Sequence, residues 1–195
     1  MLRILFGFVV GIVCIPAIAF YWYRHAVVPV AVTDPPLSIE RQITGMALHE
    51  RISKEIIQRP PLQPDEETLV AGARIYGQKC AVCHGLHGKP SALGDDMYPP
   101  APPLWEKHRN SAVVGVSDDL PGETYWKIVN GIRLTGMPEF KTQLTDTEIW
   151  QVSLLLANAD KPLPPDALTI LRGETAPTHP KAASDSTPRS TILDE

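Results

Sequence analysis

Cys80-Ala81-Val82-Cys83-His84 is the stretch on which the fold of this 195-residue chain turns. The third cysteine, Cys14, sits in an apolar run far from the pair. A disulfide framework is therefore excluded, and the close pair reads as cofactor or redox chemistry. C-x-x-C-H is the attachment signature of c-type haem: two sulfurs form thioethers to the porphyrin edge, and the adjacent histidine presents a ring nitrogen to the iron. Three other readings compete with it. A zinc knuckle from Cys80, Cys83, His84 and His87 would crowd its ligands into eight residues, without the second ligand pair on a distant segment that such sites use. A thioredoxin-type pair needs a surrounding βαβ pattern, whereas a helical pattern with no strand precedes this one. Two buried structural thiols suit an exported chain poorly, because free thiols tend to oxidise there.

Working outward, a helix is expected to begin near Pro64 to Glu66, where the acidic residues 65 to 67 favour the positive N-terminal end. Leu69, Gly72, Ala73 and Tyr76 fall on one face of it, and Gly72 permits another helix to approach closely. A second stretch runs from about Pro121 to Asn130, with Gly131 as its C-terminal cap. Thr145-Asp146-Thr147-Glu148 is a capping-box pattern, announcing a helix that is apolar almost all round through Leu154, Leu155 and Leu156 to about Ala159. No strand pattern of convincing length and no internal repeat appears. The fold class read from these elements is all-α.

Toward the N-terminus, Ile4 to Tyr23 contains 20 residues without a charge, enough to cross a ~30 Å hydrocarbon layer as a helix. Tyr21, Trp22 and Tyr23 follow as an interface belt. An uncleaved anchor is the expectation. The competing reading is a signal peptide cleaved after Ala17-Ile18-Ala19. Both export the rest of the chain. Residues 26 to 36 read as a Pro-containing linker, and 38 to 58 as a helix whose apolar residues split into two sets on opposite sides, Ile39, Ile43, Met46 and Leu48, Ile52, Ile56.

Beyond Pro162 to Pro165 periodicity is lost. Residues 173 to 195 are too poor in apolar side chains to repay ordering entropy. The expected organisation is thus an anchor over 1–25, linker and accessory helix over 26–62, a globular domain over 63–165 and a disordered tail over 166–195. The formal net charge of -4 argues against a nucleic-acid partner, since no basic stripe exists to neutralise phosphates.

Gly131-Ile-Arg-Leu-Thr-Gly136-Met137-Pro138 starts 47 residues after His84 and precedes the capped last helix. With the helix carrying Gly72 and Tyr76 and the C-x-x-C-H segment, this order resembles the class I c-type cytochromes, in particular the small membrane-anchored monohaem type with a G-x-x-x-T-G-M-P-x-F segment. The resemblance covers about residues 64 to 162. It implies the class I cytochrome c fold around one covalent haem c held through Cys80 and Cys83. It further implies His84 as proximal ligand and Met137 as distal ligand. Apart from the resemblance, Met97 in the Pro-rich loop is the next candidate sulfur and His108 a weaker alternative. The resemblance also implies an aromatic contact between Tyr76 and Trp150.

The Pro99 to Trp105 segment reads as a stiff loop against one haem face, with Tyr98, Trp105 or Arg109 as possible propionate donors. The function implied is an electron carrier rather than an enzyme. It would be tethered as a single-pass protein to the cytoplasmic membrane, with the haem domain on the periplasmic side. Its partners would be membrane redox complexes, a donor dehydrogenase or quinol-oxidising complex and an acceptor oxidase. The alternative is the haem subunit of a membrane-attached dehydrogenase. A haem peroxidase or gas sensor would need a labile distal site.

Overall fold

The computed structural model describes residues 2–26 and 29–174. Its helices are α1 Leu2–His25, α2 Glu40–Glu55, α3 Glu66–Lys79, α4 Ala81–His84, α5 Ala92–Asp95, α6 Pro121–Asn130, α7 Asp146–Leu156 and α8 Pro165–Leu171. Among the described residues the only β pairings are isolated bridges, Leu86 with Lys89 and Lys107 with Val114. The all-α class is as expected.

The chain divides into two units, Met1–Lys54 and Glu55–Glu195. In the first, α1 is long and apolar enough over Arg3–His25 to cross a membrane, a test that a signal sequence also passes. Of the helix expected over 38 to 58, Glu40–Glu55 forms α2, with Ile39 and Ile56 of the two-sided apolar pattern lying outside it.

The second unit is built on α3 and α7. Asp65 caps α3 by accepting the Thr68 N–H at 2.9 Å, and Glu66 and Glu67 occupy its first turn. α7 starts with a complete capping box: Thr145 Oγ1 accepts the Glu148 N–H at 3.3 Å, and the Glu148 carboxylate accepts the Thr145 N–H at 2.7 Å. Four orphan N–H groups at each helix start make such caps decisive for where the helix begins. α7 ends at Leu156, with Ala157 as its cap, three residues earlier than expected.

Leu69, Ala73 and Tyr76 of α3 and Ile149, Val152 and Leu155 of α7 are buried in one cluster, which Ile128 of α6 joins. Each such side chain contributes about 1.5–3 kcal/mol when removed fully from water. Gly72 is what lets α3 and α7 come together: a Cβ there would lie 2.4 Å from the Gln151 carbonyl oxygen.

Two expectations need correction. The tail does not begin at 166, because Pro165–Leu171 is a helix with Pro at its first turn and with Ala167 and Leu171 at 0% exposure in the core. Seven residues are too few to establish a 3.6-residue period, and the Pro-rich approach masks a favourable helix start. The rest of the expected tail, 175–195, lies outside the described residues. The second correction concerns the aromatic pair. Tyr76 meets Trp105 edge-on with centroids 5.4 Å apart, while Trp150 stacks on Tyr125 at 4.2 Å. Both expected residues are core, but each has a different ring partner.

Candidate functional site

Cys80 ends α3, and Cys83 and His84 lie on the single turn α4 that follows. Three connections fix this turn. The buried Tyr76 hydroxyl donates to Gly85 O at 2.7 Å, directly after His84. The His87 N–H donates to Leu171 O at 3.0 Å, and Lys89 Nζ donates to Arg172 O at 2.7 Å, so the end of α8 is capped by the segment downstream of the motif. The third is α5, whose Gly94 lies so close that a Cβ would be 2.0 Å from Cys83 O.

His84 Nδ1 lies 2.8 Å from Pro102 O. A carbonyl can only accept, so Nδ1 carries the proton and the lone pair resides on Nε2. Burial holds the His84 pKa below its usual value, with the Pro102 bond opposing this, so the neutral ring is favoured. A neutral imidazole with one nitrogen oriented by a backbone carbonyl is the form that binds metal. Pro102 was not legible as a partner, although a Pro-rich loop supplies carbonyls without matching N–H groups.

Burial, followed by the neighbouring Cys83, pushes the Cys80 thiol up to about 12. A redox-active cysteine pair requires the opposite shift. Among the described residues no group of three or more His, Cys, Asp or Glu side chains is arranged to hold a metal ion. His25, His49, His87 and His108 are exposed, and His179 lies outside the described residues.

Met137 belongs to a loop tied at both ends to the last turn of α6: the Gly131 N–H donates to Lys127 O at 2.9 Å and the Phe140 N–H to Ile128 O at 3.0 Å. Gly131 has φ +65°, and a Cβ there would be 2.7 Å from Pro138 C and 2.8 Å from Met137 O, so only glycine suits this pinch. Met137 is half-buried against the core cluster.

The C-x-x-C-H turn and the methionine loop, distant in sequence, are linked by successive contacts. Gly94 touches Cys83 O, the Met97 N–H donates to Gly94 O at 3.4 Å, and a Cβ on Gly136 would lie 2.9 Å from Met97 Sδ. Met97 is therefore the bridge between the two segments. Residues 67–154, which contain both, match the family model of cytochrome c oxidase, cbb3-type, subunit III. Residues 67–154 form a c-type cytochrome domain. No curated protein and no solved structure matches the chain.

The cytochrome domain implies haem c bound covalently, and Cys80 and Cys83 have the attachment spacing. The surrounding residues fit that group. The Trp105 indole N–H is buried with no acceptor at hydrogen-bond geometry. Tyr76, beside it, donates its hydroxyl to Gly85 O and keeps an oxygen facing the indole; burial raises the Tyr76 pKa, Cys80 adds to this and the Trp105 indole opposes it. A buried donor without a well-placed acceptor costs roughly 1–3 kcal/mol, and a haem carboxylate is a group that would supply one. Of the other expected donors, Tyr98 is 43% exposed and Arg109 is exposed, so Trp105 is the one the fold buries.

Proposed function

We propose that this chain is a membrane-tethered monohaem cytochrome c that passes single electrons between membrane redox complexes on the outer side of the cytoplasmic membrane, with His84 and Met137 holding the two axial positions of the iron. Covalent haem c supplies the one-electron couple. His84 contributes a neutral, oriented Nε2, and Met137 contributes a neutral thioether that favours the lower iron charge. The observation that carries the reading is the chain of contacts from Cys83 through Gly94 and Met97 to Gly136, which joins the attachment turn to the loop whose Met137 packs against the core.

Two such ligands would leave no open coordination position, which favours a carrier over a peroxidase or gas sensor. The oxidase-subunit family matched by the domain supports a membrane redox complex as partner. The apolar α1 supports tethering.

The test is the near-infrared sulfur-to-iron band of full-length ferric protein purified from membranes in detergent, with its N-terminus checked by intact mass. Met137→Ala is expected to lose the band, lower the potential and gain carbon monoxide binding, while Met97→Ala keeps the band. Loss of the band in Met97→Ala alone would transfer the distal role to Met97. Wild-type protein that binds carbon monoxide readily and turns over peroxide would overturn the carrier reading. A mature chain starting at Phe20 would overturn the tether.

A further inference from the structure

We propose that the Thr135 hydroxyl is a positioning residue for the Met137 thioether, an inference that rests on Met137 being the distal ligand. Thr135 Oγ1 donates to Ile132 O at 2.7 Å and accepts the Met137 N–H at 3.1 Å. The Ile132 N–H donates to Met137 O at 3.2 Å, and the Thr135 N–H donates to Ile132 O at 3.2 Å. Both backbone groups of Met137 are therefore fixed from within the loop, one of them by a side chain.

The turn so formed is not one its sequence would choose alone. Leu134, at its third position, has φ +64° and is 78% exposed. A leucine in the left-handed region is uncommon and costs about 1–2 kcal/mol. Its exposed side chain gains little from burial to compensate, so the conformation must be imposed by the bonds on either side of it. Thr135 makes three of those bonds, through its amide and its hydroxyl. Removing the hydroxyl leaves the half-buried Met137 N–H without its partner and releases the clamp on the strained turn. Loss of a hydrogen bond of this kind weakens the closed loop by about tenfold in its equilibrium.

The experiment compares Thr135→Val, which keeps the shape, with Thr135→Ser, which keeps the hydroxyl, in full-length holoprotein beside Met137→Ala. Haem content and far-ultraviolet dichroism establish that each variant is folded, and Thr135→Ala serves if the valine variant is not. The readouts are the near-infrared sulfur band and the rate at which carbon monoxide binds the ferrous protein. Thr135→Val is expected to bind carbon monoxide about tenfold faster with a weakened band, and Thr135→Ser to match wild type. A valine variant equal to wild type, while Met137→Ala loses the band, overturns the role of Thr135 and leaves the ligand assignment intact. Valine and serine variants equally impaired also overturn it, since the hydroxyl is then not the cause. Retention of the band in Met137→Ala overturns the ligand assignment and this inference with it.

Discussion

Gly72→Ala and Gly77→Ala change the same helix by the same atom, and the fold requires them to have opposite effects. At Gly72 the new Cβ would lie 2.4 Å from the Gln151 carbonyl oxygen, 2.8 Å from its carbon and 3.2 Å from Leu155 Cβ. Ordinary contact begins at 3.4 Å, so the oxygen is 1.0 Å too close, the difference between 3.4 and 2.4 Å. Both Gln151 atoms are backbone within α7 and cannot rotate away. The helices must therefore separate by roughly 1 Å along the seam, and a gap of that size forfeits about a quarter to a half of each contact's dispersion energy.

Overpacking of this kind costs about 1–3 kcal/mol and more against rigid backbone. Replacing glycine inside a helix returns about 1 kcal/mol. The net expectation is a loss of about 0–2 kcal/mol, at the upper end or beyond because the clashing atoms are helix backbone. At Gly77 the nearest atom is Ile170 Cγ2 at 3.9 Å, an ordinary contact, so only the helix-propensity gain of about 0.5–1 kcal/mol remains. Thermal unfolding of the holoprotein, followed by far-ultraviolet dichroism, reads the difference at about 4–8 °C per kcal/mol for a domain of this size. A Gly72→Ala midpoint equal to or above that of Gly77→Ala would refute the close packing of α3 on α7.

Leu171→Ala tests whether α8 belongs to the domain: its fully buried side chain should cost about 2–5 kcal/mol, and an unchanged melting midpoint would return α8 to the tail. Asp65 gives a pH-dependent test. The Thr68 backbone N–H, then the Thr68 side chain, hold its carboxyl below the usual 3.8. A depressed folded pKa means the cap's stabilisation is complete above 3.8 and is lost as pH falls through the folded value. The melting midpoints of wild type and Asp65→Ala should therefore differ at neutral pH and converge in acid; a gap that persists at the lowest pH would sink the capping role.

What could be read in the sequence was whatever is specified by neighbours along the chain. Thr145 and Glu148 form their box three residues apart, Asp65 reaches Thr68, and Cys80, Cys83 and His84 share two helical turns. The packing role of Gly72 was also visible, because only a missing side chain on an otherwise apolar face invites a neighbouring helix. The rest depended on segments meeting across the fold. Nothing near Tyr76 selects Trp105 over Trp150 as its ring partner. Nothing near His84 selects Pro102, 18 residues away. α8 escaped for a different reason: its stability comes from Ala167 and Leu171 entering a core made by other helices, not from any local pattern.

The two sides of the site are anchored unequally, and this bears on how it would respond to stress. The His84 turn is fixed by Tyr76 of α3, by Pro102, by α5 and by the bonds from residues 87 and 89 to the end of α8. Two thioethers through Cys80 and Cys83 would add covalent restraint to the same turn. The Met137 loop has no such reinforcement. Beyond its ties to the last turn of α6 it holds its shape with its own Ile132 and Thr135 bonds, with a strained leucine between them and Met97 packed on Gly136. A perturbation that loosens the domain therefore reaches the methionine side first. With the proposed ligation, partial unfolding would open the distal position while His84 stays in place, so any gain of carbon monoxide binding or peroxidase activity should precede global melting.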